Sequence, residues 1–591
     1  MKKIIAQVVS ILLALYLAYF FTGIVVPKMQ IFIDTEDAFN NNAVSFSTYK
    51  NDKTVVQPDE NGQYVYSMEY AGRKYDVAVN VSDDGGDISC KINDRDSRCV
   101  PVFKYTNYEA YSHVYCVPLS GSYHLRYFVF AVFFVSFCAM LLLLAKEVIG
   151  DNGEYTHVMT FSDSAYKCLG KKTIAVSFIV TLISLVLYKG CDLDVISQTI
   201  ILKEKGVDIY QLFAALNKAK GVELFMWQYN GAMLAGYDLW SRLFSFSLFW
   251  YNPSSYHWIQ VFEYKIFNMI LYNLLVLSII SFLIDSDLLD KSKVKRVYFL
   301  SVFNPLTFYV AIWFIQFDIL PAYLITLGML LLFKRSDKVA TAEVLLAFGL
   351  ATKDTMLFFI PSFFVAFFFL LLKEPAKRKR YFSFALMFFV LYAETYILPK
   401  LMDTPIAKAF HKLPQAQRAW WTVVTYIDNA VYLYLSIFML VVCFVLGVRS
   451  YRLSVKTEDV VRNLIYVMAA IVCAFSFAII PTPAFYIVTA GAFVLLYADS
   501  EDLFQALLYA ALGMIMVVAF MFAREGDITG SLQFFNITPV FTYIGDKMNA
   551  AGEGVKWNSI LHTVSQAGMF CFVIIFLRKA NEVLGRDDKV L

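Results

Sequence analysis

Long apolar runs separated by short polar turns fill most of the sequence. They fall at Ile4–Val26, Tyr127–Leu144, Thr173–Tyr188, Ile266–Ile284, Val297–Phe314, Ile319–Phe333, Ala340–Ala351, Met356–Leu372, Phe382–Leu398, Ala430–Val448, Leu464–Ile480, Ala484–Tyr497, Leu507–Phe522 and Ile560–Phe576. A bilayer core is crossed by about 20 apolar residues, so the pattern predicts an all-α polytopic membrane protein of about 14 transmembrane helices. The shorter runs fit through local thinning or burial against neighbours. The first run is longer than the apolar part of a secretory signal and no small-x-small site closes it, which predicts an anchored span.

Two stretches break the pattern. Residues 27–125 are polar and alternate with period two, as in Gln63-Tyr-Val-Tyr-Ser-Met-Glu-Tyr70 and Tyr75-Asp-Val-Ala-Val-Asn-Val81. Turn signals at Asp59-Glu-Asn-Gly62 and Asp83-Asp-Gly-Gly86 bound them, predicting a small β domain inserted between the first two spans. It holds Cys90, Cys99 and Cys116. A Cys90–Cys99 bridge on an oxidising face and three free thiols are both open. Residues 189–265 form the second break, a long aromatic-rich loop in which Gly231–Tyr251 has the amphipathic character of a helix lying in the membrane interface.

The predicted organisation is therefore an anchor at 1–26, the β domain at 27–125, and a second span with its linker at 126–171. A transmembrane core follows at 172–578, then a tail at 579–591. Composition agrees: 59% of the 591 residues are hydrophobic and 17% charged, against roughly 25% charged in soluble domains. The net charge of +3 gives no sign of nucleic-acid binding. Nine cysteines include no C-x-x-C pair, and there is no phosphate-binding G-x-x-x-x-G-K-[ST] loop or H-E-x-x-H helix.

Basic residues fall on alternate turns: Lys146 with Lys167, Lys171 and Lys172; Lys291–Arg296; Lys334, Arg335 and Lys338; Lys373 with Lys377–Arg380; Arg449, Arg452 and Lys456; and Arg578 with Lys579. By the positive-inside rule these turns and both termini are cytoplasmic. The β domain, the 189–265 loop, the turn at Gln316, the end at Lys353, and the loops at 399–428, 481–483 and 524–558 then share the outer face.

Chemistry-bearing residues gather on that outer face. Asp192 and Asp194 open the long loop, and a carboxylate is a competent general base for a hydroxyl; either also serves as a helix terminus. Gln316 and Asp318 occupy a very short turn between apolar runs, where an ionisable group is costly, although Asp318 can cap the next span. Lys353 runs against the positive-inside rule, which suits it to an anion such as phosphate, or to an ion pair with Asp354 or Asp318. Tyr210, His411, Arg418, Tyr486 and Arg524 line a cleft or anchor the interface. The spacing of Asp192 and Asp194 would let them share a divalent cation, but two carboxylates do not make a metal site, and no cofactor is expected.

Three local patterns resemble the GT-C superfamily, the polytopic glycosyltransferases that use polyprenyl-phosphate-linked sugars. Gly206-Val-Asp-Ile-Tyr210 is similar to the G-x-x-x-Y that follows the first acidic motif. Asn304-Pro305 with Gln316-Phe-Asp318-Ile-Leu320 is similar to the NP … GQFD turn of mannosyltransferase-like branches, with Ile315 where Gly is usual. Thr352-Lys353 with Phe359-Ile-Pro361 resembles their K … P helix start. The resemblance spans residues 170–578 and leaves residues 1–150 outside it.

The resemblance implies an inverting sugar transfer on the outer face. Asp192 or Asp194 would deprotonate the acceptor hydroxyl, Lys353 with Arg524 would hold the departing lipid phosphate, and Gln316 with Asp318 would line the donor pocket. The implied partners are a polyprenyl-phosphate sugar donor, membrane lipids and a glycan, lipid or protein acceptor, with no nucleic acid. Short loops point to a bacterial cytoplasmic membrane. Two alternatives stand beside this reading: a transporter of lipid-linked sugars or polysaccharide, and a non-catalytic assembly or sensor protein built around residues 27–125.

Overall fold

A computed structural model describes residues 2–51, 53–82, 88–102, 113–119, 124–148, 163–187, 199–216, 230–243, 258–313, 317–334, 339–353, 378–401, 456–478, 489–523 and 557–584, with isolated positions at 356–372 and 404–445. Among them, three helices are long and apolar enough to cross a membrane: Lys3–Val25, His124–Glu147 and Glu263–Asp285. Shorter apolar helices run over Ile319–Leu332, Ala340–Ala351, Ala490–Asp499 and Leu503–Val517. Large apolar side chains also point outward, among them Ile5, Leu12, Val135, Ile179, Phe382, Phe504 and Ile574. An outer surface of this kind is unfavourable in water and fits a lipid surround.

The first two long helices form an antiparallel pair. Ser10 Oγ donates to the carbonyl of Leu141 at 3.1 Å, and Gly23 lies opposite Arg126 near the other end. The chain between them builds the expected β domain from two antiparallel sheets. One has the order β3-β2-β1-β9-β8, with β1 Gln30–Asp34, β2 Val44–Ser47, β3 Thr54–Val56, β8 Val100–Pro101 and β9 Val114–Pro118. The other is the meander β4 Tyr64–Tyr70, β5 Arg73–Val81, β6 Ile88–Ile92 and β7 Arg95–Ser97. The β6–β7 hairpin turns on Asn93 and Asp94, both at positive φ (48° and 62°), which Asn and Asp tolerate better than most residues. β4 alternates buried and exposed positions, whereas β1 and β2 are buried throughout. The inner strands of the five-stranded sheet are thus covered on both faces while its edge strand β3 is exposed, and Phe46 stacks on Tyr66 at 5.0 Å to join the sheet to the meander.

The helix bundle has two distinct ends. At one end Glu147 caps the helix Val339–Ala351, accepting from the N–H groups of Ala340 and Thr341 at 2.9 and 2.8 Å. Ala165 N–H donates to Ser281 Oγ at 2.9 Å, Arg296 reaches Ser500, and Arg462 binds Asp459 and Asp499. Asn463 donates to the carbonyl of Ala580 at 2.7 Å, one residue from Lys579. The β domain lies at the opposite end. Its β1 is clasped to residues 206–211: Gln30 Nε2 donates to the Gly206 carbonyl at 2.7 Å, and Gln30 Oε1 accepts from Asp208 N–H at 2.8 Å.

The apolar run 297–314 is broken. Helix Val294–Val302 stops at Phe303, and a short helix, Pro305–Phe308, restarts behind Asn304. Asn304 Oδ1 accepts from Thr307 N–H at 3.0 Å, with Pro305 in the first-turn position where no N–H is missed. Its Nδ2 donates to Tyr497 Oη at 2.5 Å, so the buried cap is bonded through both its oxygen and its nitrogen.

Candidate functional site

The helix Gly231–Leu243 runs through the β-domain end of the bundle and is buried along most of its length. Two glycines let it approach closely: a Cβ at Gly236 would lie 2.7 Å from Leu320 Cδ2, and one at Gly231 would collide with Ile24. Its start is fixed by Asn230, whose N–H donates to the carbonyl of Thr352 at 3.1 Å. The adjacent residues Tyr237 and Asp238 face two separate polar clusters.

On the Tyr237 side lies a buried ion pair. Lys353 Nζ binds both oxygens of Asp318, at 3.1 and 3.0 Å, with side chains 3% and 1% exposed. Tyr237 is within electrostatic reach of Asp318 and donates its hydroxyl to Asn268 Oδ1 at 2.6 Å. Phe317 meets the Tyr237 ring edge-on at 5.5 Å. Two buried charges are tolerable because each neutralises the other in near-ideal bidentate geometry; removing one would strand its partner.

On the other side, Asp238 gathers three donors on one carboxylate oxygen. Lys203 Nζ lies at 2.6 Å, Arg242 Nε at 3.0 Å and Tyr16 Oη at 2.5 Å, the last from the middle of the first helix. Arg242 also binds Glu204 at 2.7 Å. Lys203 lies over the ring of Phe20 at 4.4 Å and Arg242 over that of Tyr16 at 6.0 Å, so both cations rest on aromatic faces. Burial opposes the Asp238 charge, but Lys203, Tyr16 and Arg242 outweigh it and hold the carboxyl below its usual range. Burial pulls the Lys203 ammonium below the usual lysine range despite Asp238. Asp238 is fully buried, whereas Lys203 and Arg242 keep 26% and 46% of their side-chain surface exposed. The cluster therefore joins a buried anion to accessible cations.

The sequence-predicted residues divide clearly. Lys353 and Asp318 come together as one of the two pairings open in the sequence. Tyr210 is 4% exposed in the apolar core, at the start of the helix Ile209–Leu216 that Asp208 caps. Asp192, Asp194, Gln316, His411, Arg418, Tyr486 and Arg524 lie outside the described residues. Cys90, Cys99 and Cys116 are free thiols. Sequence reading missed Asp238, Lys203, Glu204, Arg242 and Tyr16. The one local signal was an Asp and an Arg four residues apart on the otherwise apolar segment 231–243.

No protein-family model, no curated protein and no solved structure matches this chain.

Proposed function

We propose that the chain is an integral membrane glycosyltransferase with the GT-C type of core and about 14 spans, the count set by its apolar runs. It moves a sugar from a polyprenyl-phosphate donor to an acceptor hydroxyl at the β-domain end of the bundle. The observation that carries this reading is the pair of charged clusters on either side of Tyr237 and Asp238, at the bundle end where the β domain docks. A leaving lipid phosphate needs fixed positive charge near the membrane boundary, and charge is worth most where water is excluded.

In this reading Asp192 or Asp194 accepts the proton of the attacking hydroxyl. The hydroxyl oxygen bonds to the anomeric carbon from the side opposite the phosphate, the old C–O bond breaks, and its electrons leave with the polyprenyl phosphate. Lys353, with Arg524, faces the phosphate, and Gln316 and Asp318 line the donor pocket. Lys353 and Asp318 neutralise each other before any donor arrives, so in this reading the phosphate draws Lys353 away from Asp318. Lys203 and Arg242, paired with Asp238 and Glu204, are the more accessible cations at the same end. Orientation follows from the basic turns: the end bearing Arg296, Arg462 and Lys579 faces the cytoplasm, and the β domain faces outward from a bacterial cytoplasmic membrane.

The test is donor turnover by the purified full-length chain in lipid vesicles. Polyprenyl-phosphate sugars are offered with candidate glycan, lipid and protein acceptors, and released polyprenyl phosphate is counted. One of Asp192→Asn and Asp194→Asn should lose about 10²- to 10⁴-fold in turnover while still binding donor. A parent protein that binds lipid-linked sugar, releases no phosphate with any acceptor and carries the sugar lipid between leaflets would overturn the transferase reading in favour of a transporter.

A further inference from the structure

Three thiols converge inside the β domain. Cys90 on β6 pairs with Ser97 on β7. Cys99 follows two residues later, on the crossover from the meander to the five-stranded sheet. It immediately precedes Val100, which pairs with Cys116 on β9. The strand register therefore sets Cys99 between Cys90 and Cys116. Cys90 and Cys116 are 4% and 1% exposed, Cys99 is half-buried, and all three are free. Cys99 lies two positions beyond Ser97, the cross-strand partner of Cys90, and the two thiols are near enough to interact. Cys116, which also pairs with Phe32 on β1, lies within electrostatic reach of Asp208 in the clasp to the helix bundle. Among the described residues no group of three Cys, His, Asp or Glu side chains is arranged to hold a metal ion.

We propose that Cys90 and Cys99 are a disulfide-forming site, with Cys99 the entry thiol and Cys90 the resolving thiol. The oxidant is a disulfide, either an oxidised thiol–disulfide oxidoreductase or oxidised glutathione. The Cys99 thiolate attacks it, forming a mixed disulfide and releasing one thiol. The Cys90 thiolate then attacks the Cys99 sulfur, closing the Cys90–Cys99 bond and releasing the second thiol. Two S–H bonds and one S–S bond are lost; one S–S bond and two S–H bonds form. Cys99 enters first because it alone of the three is accessible. The bond would fasten the β6–β7 hairpin to the crossover and so join the two sheets of the domain. The neighbouring Cys90 thiol, together with burial, pushes the Cys99 thiol above its usual range, so exchange without an enzyme is slow at neutral pH and faster in alkali.

The test equilibrates the purified full-length chain with reduced and oxidised glutathione at several ratios. Acid-quenched samples are unfolded, alkylated and mapped by peptide mass. The expected product is lighter by two hydrogens, with a Cys90–Cys99 linked peptide and Cys116 alkylated. In a Cys90→Ser, Cys116→Ser variant a glutathione adduct should accumulate on Cys99. Three alkylated thiols at every ratio, or a linked peptide containing Cys116, would overturn the proposal, and both are read on the parent chain whether or not the variant folds.

Discussion

Gln211 accepts from Gln30 across the join between β domain and helix bundle and donates back to the chain two residues before Gln30. The Gln30 backbone N–H donates to Gln211 Oε1 at 2.9 Å, and Gln211 Nε2 donates back to the Lys28 carbonyl at 2.8 Å. With the two Gln30 side-chain bonds to Gly206 and Asp208, one residue completes a buried polar seam. Gln30→Ala should remove both side-chain bonds and leave their partners unsatisfied, at a cost of about 1–3 kcal/mol for each stranded group. Hydrogen–deuterium exchange should rise over residues 30–34 and 206–216 and stay unchanged in the β4–β7 meander. Equal exchange in parent and variant would remove the seam as the attachment.

Asp208 makes that seam pH-dependent. Burial raises its carboxyl above the ordinary range, against the hydrogen bonds it accepts from the Gln211 side chain and from the backbone of Gln211 and Tyr210. A folded-state pKa above the unfolded value favours folding at low pH. The contribution is complete below the unfolded carboxylate pKa of about 4 and is lost as pH climbs through the raised folded value. Protection of residues 206–216 should therefore weaken as pH rises from about 4, and Asp208→Asn should flatten the profile. A parent profile that strengthens across that rise would reverse the sign.

The Lys353–Asp318 pair should show strong coupling. Lys353→Met or Asp318→Asn alone leaves a buried partner, costing roughly 3–5 kcal/mol. The double variant should cost less than the two singles added, by about 0.5–3 kcal/mol. Thermal unfolding in detergent, read for all four proteins, closes the cycle. Additive losses would mean the two charges do not depend on each other.

Asn304 should prove to be a structural cap. Asn304→Ala removes an N-cap and the partner of Tyr497, with an expected loss of about 1–2 kcal/mol. Asn304→Asp keeps the acceptor toward Thr307 and should lose less of the cap, while Tyr497→Phe tests the second bond separately. Melting temperatures in detergent rank the three. An unchanged midpoint for Asn304→Ala would mean that the cap contributes nothing to stability.

Much of the helix layout was legible because lipid exposure and burial both select apolar residues, leaving long uninterrupted runs. The β meander was legible because one face of β4 is exposed and its alternation survives in the sequence. β1 and β2 were not, since both of their faces are covered and nothing alternates. Asn304-Pro305 reads in sequence as the start of a GT-C-like turn, and the Asn304 side chain is spent on a helix restart inside an apolar run. The Asp238 cluster escaped for a different reason. Its partners come from the first helix, the helical segment 199–204 and its own helix, and no local pattern links Tyr16 to a carboxylate 222 positions away.

That separation has a bearing on synthesis. Tyr16 emerges from the ribosome 222 residues ahead of Asp238, a delay of roughly 10 to 40 seconds at usual elongation rates of about 5–20 residues per second. Over that interval the first helix exposes a phenol meant for a charge not yet made. Its nearer companion, the helix His124–Val148, also arrives only after the whole β domain has been made. The first helix must therefore wait, and its seam with Asp238 cannot close before residue 238 of the 591 has been made.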